Sequence, residues 1–207
     1  MAKITNHSLI KGIPVLVVID VQKGSFMSST TSPIQHMPGY GERVARIPAL
    51  IEKARSCGVP IIFFQEAHRR DLIDFGRELD GDEEIHCLEG NERTEIADEV
   101  GMTDNDYFIR KRRYSGFFGT DFEILLKGLK AETLIFVGVL TDVCVHYTFV
   151  DGHQHDYFCR VVEDCVAGSS EAAHEASLSA MEYLQNGARR TSEEVLDAFD
   201  QYYKKNS

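Results

Sequence analysis

Four apolar runs constrain this chain more than any other feature: IPVLVVID (13–20), VPIIFFQE (59–66), TLIFVGVL (133–140) and FCRVVEDC (158–165). They are rich in β-branched and aromatic residues, and the first three are apolar almost throughout. A strand with one face in water alternates apolar and polar residues. A strand that is apolar along its length is covered on both faces, which is the habit of parallel sheets. A shorter run, YFIRK (107–111), falls between the second and third.

Helical patterns separate the runs. GERVARIPALIEKARSCG (41–58) has apolar residues at helical spacing and closes on Gly58, with Pro48 implying a late start or a kink. TDFEILLKGLKAE (120–132) opens on Thr120 with Glu123 three residues on, the spacing of a capping box. DVCVHYTFVDGHQHD (142–156) is a weaker helix because of Gly152. SSEAAHEASLSAMEYLQNG (169–187) is capped by serine and closed by Gly187, and Thr191 with Glu194 opens a last short helix. Strands alternating with helices predict an α/β fold: one domain over 1–207, with a doubly wound, mostly parallel sheet and helices on both faces. A hydrophobic content of 43% suffices for its core.

In such sheets a ligand sits beyond the carboxyl ends of the strands. That rule collects Asp20, Glu66, Lys111 and Leu140–Cys144 along one rim. The charged, weakly periodic segment 67–106 reads as loops with at most a short helix, able to wall a site together with 23–40 and 112–118.

Several functions are disfavoured. A formal net charge of −11 argues against nucleic acid or an anionic membrane as partner. No apolar run is long enough to cross a bilayer, and MAKITNHSLIKGIP lacks the apolar core of a secretory signal. Five cysteines at unpaired spacings (57, 87, 144, 159, 165) suit reduced thiols in a cytoplasmic protein, with Cys159 and Cys165 buried. There is no glycine-rich phosphate loop to suggest a nucleotide.

Three rim residues could carry chemistry. Asp20 ends a strand as either a turn cap or a base. Lys111, in IRKRRYSGF, is either part of a solvated basic cluster or an ammonium turned into the rim. Cys144 is either a small core hydrophobe or a nucleophile. At the start of a helix its thiolate would be favoured, and nearby N–H groups could bind an oxyanion. A thiol, a carboxylate and an ammonium together would make a nucleophile site, with the carboxylate taking the thiol proton.

The segments VLVVIDVQKGSF, KRRYSGFFGTDFEILL, VGVLTDVCVHYT and VVEDCVAG, in that order, resemble the isochorismatase-like cysteine hydrolases. That group includes nicotinamidases, N-carbamoylsarcosine amidohydrolases, biuret hydrolases and ureidoacrylate amidohydrolases. The resemblance implies an Asp20–Lys111–Cys144 triad, a cis peptide between Val139 and Leu140, and an oxyanion hole from the Leu140 and Cys144 N–H groups. It implies cleavage of a C–N bond in a small carboxamide or ureido substrate through a Cys144 thioester, with no cofactor required by the triad. It also implies a homodimer or homotetramer.

Glu66 and His68 in QEAHR, with His86 in IHCLEGNERTEI, resemble the metal ligands of nicotinamidases and imply a site for zinc, iron or manganese. The chain departs from that pattern in having Glu66 where the pattern has aspartate, and GNERTEI after the histidine. The same residues could instead hydrogen-bond among the loops, with His68 reaching substrate. Gln22, Phe26, Tyr114 and Phe117 are further candidate substrate contacts, Tyr114 and Phe117 by stacking. His146, two positions past Cys144, does not share its helical face and is a poor base for it. Two other functions compete: a metal-containing nicotinamidase, and a non-catalytic binding or scaffold protein that retains the fold.

Overall fold

The computed structural model describes residues 8–26 and 34–206. Residues 27–33 of the expected pocket wall, and the first seven of the N-terminal stretch, lie outside the described residues. Six strands form one parallel sheet: β1 (Ile13–Ile19), β2 (Ile61–Glu66), β3 (Tyr107–Lys111), β4 (Ala131–Val139), β5 (Phe158–Ala167) and β6 (Arg189–Arg190). Their order is β3-β2-β1-β4-β5-β6, with every pairing parallel. The chain builds outward from β1 in one direction and then returns to add β4 on its other side. The carboxyl ends of β1 and β4 therefore flank the point where the order reverses, the place where such sheets leave a crevice.

The helices are α1 (Tyr40–Val44), α2 (Ile47–Ser56), α3 (Phe122–Leu129), α4 (His146–Gln154), α5 (Glu171–Leu184) and α6 (Ser192–Asn206). Alternation along β1 divides the core. Leu16 and Val18 pack on one face with Ile47, Leu50, Val195 and Phe199 of α2 and α6. Val15, Val17 and Ile19 pack on the other with Phe122, Leu126, Phe149, Leu178 and Met181 of α3, α4 and α5. This is the doubly wound α/β fold that the apolar runs require.

Local details differ from the sequence expectation in instructive ways. The 41–58 pattern is two helices, and Pro48 sits in the first turn of the second, where its missing N–H costs nothing. The expected capping box at Thr120 and Glu123 is not made. Asp121 is the cap residue of α3, and Thr120 Oγ1 accepts from the Phe122 N–H at 3.2 Å. The Thr191–Glu194 pair does form a reciprocal box, with Glu194 N donating to Thr191 Oγ1 and Thr191 N to Glu194 Oε2. Gly152 stands within α4 because a Cβ there would lie 3.0 Å from Cys159 Sγ. Its absent side chain lets α4 close onto β5. Segment 67–106 holds three single 3-10 turns, Glu78–Asp80, Glu92–Thr94 and Asp98–Val100. The two-residue β6 carries no sequence signal.

Candidate active site

The β3 alternation decides which basic residue enters the molecule. Ile109 and Lys111 face inward, and Arg110 between them is exposed. Lys111 is wholly buried, which overturns the solvated-cluster reading for this one residue. Its Nζ lies 2.7 Å from Asp20 Oδ2, 3.2 Å from Cys144 Sγ and 3.7 Å from Glu66 Oε2. Asp20, Glu66 and Cys144 are buried around it. Three strand ends and the turn after a fourth thus meet on one ammonium.

Asp20 follows β1 in the left-handed region, φ 52°, with Gln22 N donating to its carbonyl at 3.0 Å. Aspartate tolerates this conformation better than most residues. Next to it, Gly138 has φ 112°, and a Cβ there would stand 2.0 Å from the Ile19 carbonyl oxygen. Only glycine lets β4 approach the end of β1 this closely. The Val139–Leu140 peptide that follows is cis, at the position the resemblance implied.

Cys144 does not sit in the first turn of an α-helix, as the pattern predicted. Thr141–Val145 form one π turn, in which Val145 N donates to Leu140 O at 3.1 Å, and α4 begins after it. Single π turns inside helices are often found at functional sites. Side chains pin this turn from both sides. Thr141 Oγ1 is 2.8 Å from His174 Nδ1, and Asp142 accepts from both Ser169 N and Ser169 Oγ. Thr148 Oγ1 donates to Cys144 O and accepts from Gly116 N, tying the RYSGF loop to the same turn.

The electrostatics also differ from the sequence expectation of a favoured thiolate. Burial pushes the Cys144 thiol well up; Lys111 opposes this, and Glu66 and Asp20 reinforce it. The resting group is therefore a thiol that needs a base. Burial likewise raises the Asp20 carboxyl, with Lys111 pulling it down, to about 6. Burial opposes ionisation of Glu66, but Lys111, His68 and His86 outweigh it and bring Glu66 to about 2. Lys111 is held charged: desolvation is overcome by Asp20, Cys144 and Glu66.

Asp20, Glu66 and Cys144 form the floor of a cavity of about 380 Å3, with the buried Lys111 behind them. Its walls include Tyr40, Glu83, His86, Asn91, Arg93, Tyr114 and Leu140. Of the expected substrate contacts, Tyr114 lines it, with its hydroxyl donating to Glu83 Oε2 at 3.0 Å. Gln22 lines it too, but its amide is engaged with the Glu66 backbone and the Thr94 carbonyl, stitching β1 to β2. Three expectations are corrected. Phe117 does not line the cavity: it is half-buried and packs against the edge of the core, on Phe122, Tyr157 and His155. Phe26 is exposed and also outside the lining. His68 is wholly buried behind the cavity wall, stacked on Phe75 at 3.9 Å, so it does not meet substrate from this position.

His68 does meet Glu66 and His86. The three lie with Glu78 in one buried group whose ligand atoms are all within 4.8 Å of one another. Glu66 Oε1, both His68 ring nitrogens and both Glu78 carboxylate oxygens are buried without a hydrogen bond. Two imidazoles and two carboxylates with lone pairs so placed fit a divalent metal. Glu78 was not legible in the sequence: it belongs to the acidic stretch before His86, and only the loop's path brings it to His68. Glu83, Asn91 and Arg93 were missed for the same reason.

The family model of the isochorismatase domain matches residues 14–194. The chain belongs to the isochorismatase family. Among curated relatives, the ureidoacrylate amidohydrolase RutB of Methylobacterium radiotolerans is 26% identical over 190 residues, covering 81% of this chain and 72% of that protein. The isochorismatase-like hydrolase of Alkaliphilus metalliredigens has a TM-score of 0.77 at 25% identity, covering 95% of this chain and all (100%) of that one. The pyrazinamidase of Pyrococcus horikoshii, solved in complex with zinc, has a TM-score of 0.73 at 25% identity, covering 87% and 98%. Among the described residues no helix is long and apolar enough to cross a membrane.

Proposed function

We propose that this family member is a cysteine amidohydrolase that cleaves the C–N bond of a small carboxamide or ureido compound through a thioester on Cys144. The observation that carries the reading is the buried ammonium of Lys111, 2.7 Å from the Asp20 carboxylate and 3.2 Å from the Cys144 thiol, both of which line a small-molecule cavity. The ureidoacrylate amidohydrolase relatives support the substrate class.

Asp20 accepts the Cys144 proton as Sγ attacks the carbonyl carbon, and the Leu140 and Cys144 N–H groups receive the oxyanion. Asp20 returns the proton to the departing nitrogen, which leaves as ammonia or an amine. It then takes a proton from water, which attacks the thioester, and returns that proton to the Cys144 sulfur as the acid is released. Lys111 stays charged throughout and offsets the negative charge on Asp20 and sulfur. Glu66, His68 and His86 would hold a divalent metal beside this floor. Such an ion, where a coordination position is open, supplies Lewis-acid polarisation of an oxygen ligand.

Ammonia release across a panel of small amides and ureido compounds tests the reading, and a protein inert to every member would overturn it. On an accepted substrate, kcat/KM is expected to rise with pH through about 6, where Asp20 ionises, and to fall roughly tenfold per pH unit below it. A profile flat from pH 5 to 7, or an Asp20→Asn variant with an unchanged acid limb, would remove Asp20 as the base.

A further inference from the structure

We propose that Glu83 and Tyr114 form a cation-reading wall of the substrate site, so that the preferred substrates are small amides carrying an ammonium group. The proposal rests on the amide reading for one end of the ligand and adds the charge of the other. Glu83 carries it. Its side chain is only 20% exposed and lines the cavity. The Tyr114 hydroxyl donates to Glu83 Oε2 at 3.0 Å. Among the described residues no lysine or arginine lies within 4.0 Å of that carboxylate, and the one basic side chain at this distance is His86, through Nε2. His86 Nδ1 is 2.6 Å from the Glu84 carbonyl and is the ring nitrogen that donates. A neutral imidazole so anchored turns a lone pair, not a donor, toward Glu83.

The other carboxylates of the cavity are accounted for. Asp20 and Glu66 share Lys111, and Glu84 is exposed to water. Glu83 is thus the partly buried carboxylate of the wall that lacks a cation, and a half-desolvated charge is stabilised by a counter-charge. An aromatic face beside a carboxylate adds the attraction of the ring quadrupole for a cation. The pair is also held in place. The Tyr114 ring leans on Tyr147 at 5.7 Å, Ser115 Oγ donates to Asp151 Oδ2 at 2.5 Å, and Gly116 N donates to Thr148 Oγ1 at 3.0 Å. All three partners lie on α4, the helix that follows Cys144, so nucleophile and wall share one rigid support. Arg93 is the guanidinium of the described lining and would serve a carboxylate tail instead, but it is itself engaged and Glu83 and Glu84 line the same cavity.

Binding of matched probes to the full chain carrying Cys144→Ala tests this: propanamide, 3-aminopropanamide and succinamate, with butanamide and 4-aminobutanamide to vary the tail length. An ammonium amide is expected to bind about tenfold more tightly than its neutral partner, and succinamate more weakly than either. Glu83→Gln in the same chain is expected to bring the ammonium-to-neutral ratio close to one. No detectable binding of either ammonium amide, a ratio of one or less at both lengths, succinamate as the tightest probe, or a ratio unchanged by Glu83→Gln would each overturn the proposal. The order of affinities before that substitution decides alone if the variant does not fold. Binding needs no turnover, so failure here and failure of the amide reading are separable.

Discussion

Cys144→Ala is expected to lower ammonia release from any accepted substrate by about 10^3-fold or more while the protein stays folded and binds that substrate. The cavity floor explains both halves. Cys144 is the thiol seated on the Lys111–Asp20 pair, and Lys111 itself is held charged by Asp20 and Glu66 and so has no lone pair to offer. The alanine variant keeps the Lys111–Asp20 pair and the cavity walls, so little but one buried sulfur is lost. Turnover and binding would be measured on the same sample, with acid-quenched mass spectrometry of the wild type to trap the thioester. Near-wild-type turnover in the alanine protein, or no adduct on Cys144 during wild-type turnover, would sink the covalent route. A wild type that turns over no substrate at all would revive the scaffold alternative.

Lys111→Met has the largest expected effect on stability. The substitution keeps most of the buried volume and deletes the charge. It strands Asp20 and Glu66 in the interior, each with its carboxylate buried and close to the other. Removing one partner of a buried ion pair costs about 3–5 kcal/mol. For a chain of this size that lowers the melting temperature by on the order of 10 °C. The pH dependence distinguishes this from loss of packing. Without the ammonium, Asp20 keeps the burial that raises it and loses the charge that opposes it, so its carboxyl binds protons more tightly in the folded variant than in its unfolded chain. Stability therefore falls as pH rises. The deficit relative to wild type should shrink on going from pH 7 to pH 5. A deficit constant over that range would mean that the lysine's stem, not its charge, matters. In the wild type the two carboxyls act in opposite senses. Raised Asp20 costs stability above its ordinary range, and lowered Glu66 contributes stability that is lost as pH falls from about 4.5 toward 2.

The alternation of apolar runs and helical patterns was enough to read the sheet, because strands covered on both faces must be apolar at nearly every position. It was also enough to put Asp20, Glu66, Lys111 and Cys144 at strand ends. Periodicity of two could have shown that Lys111, sharing a face with Ile109, turns inward while Arg110 does not. Composition cannot show that, since four consecutive basic residues look like solvated surface. Thiol protonation was misread for a different reason. Proximity to a helix start is visible in sequence, but burial against two carboxylates is not, and here burial dominates. Phe117 was placed at the substrate because an aromatic after a basic loop fits a pocket as well as a core. The difference lies in Phe122, Tyr157 and His155, which come to it from elsewhere in the chain.

By itself the sequence determined the doubly wound α/β fold and, through the resemblance of four ordered segments, the family. Both are written locally, in runs of ten to fifteen residues whose polarity pattern has one stable burial. Only the tertiary structure decided what the charges do. It gathered Asp20, Lys111 and Cys144 within bonding distance and wound Thr141–Val145 into a π turn. It also folded Glu78 out of an acidic loop onto His68, behind the cavity rather than in it. Those are contacts between segments tens of residues apart, and their distances and protonation depend on how much water the finished fold excludes.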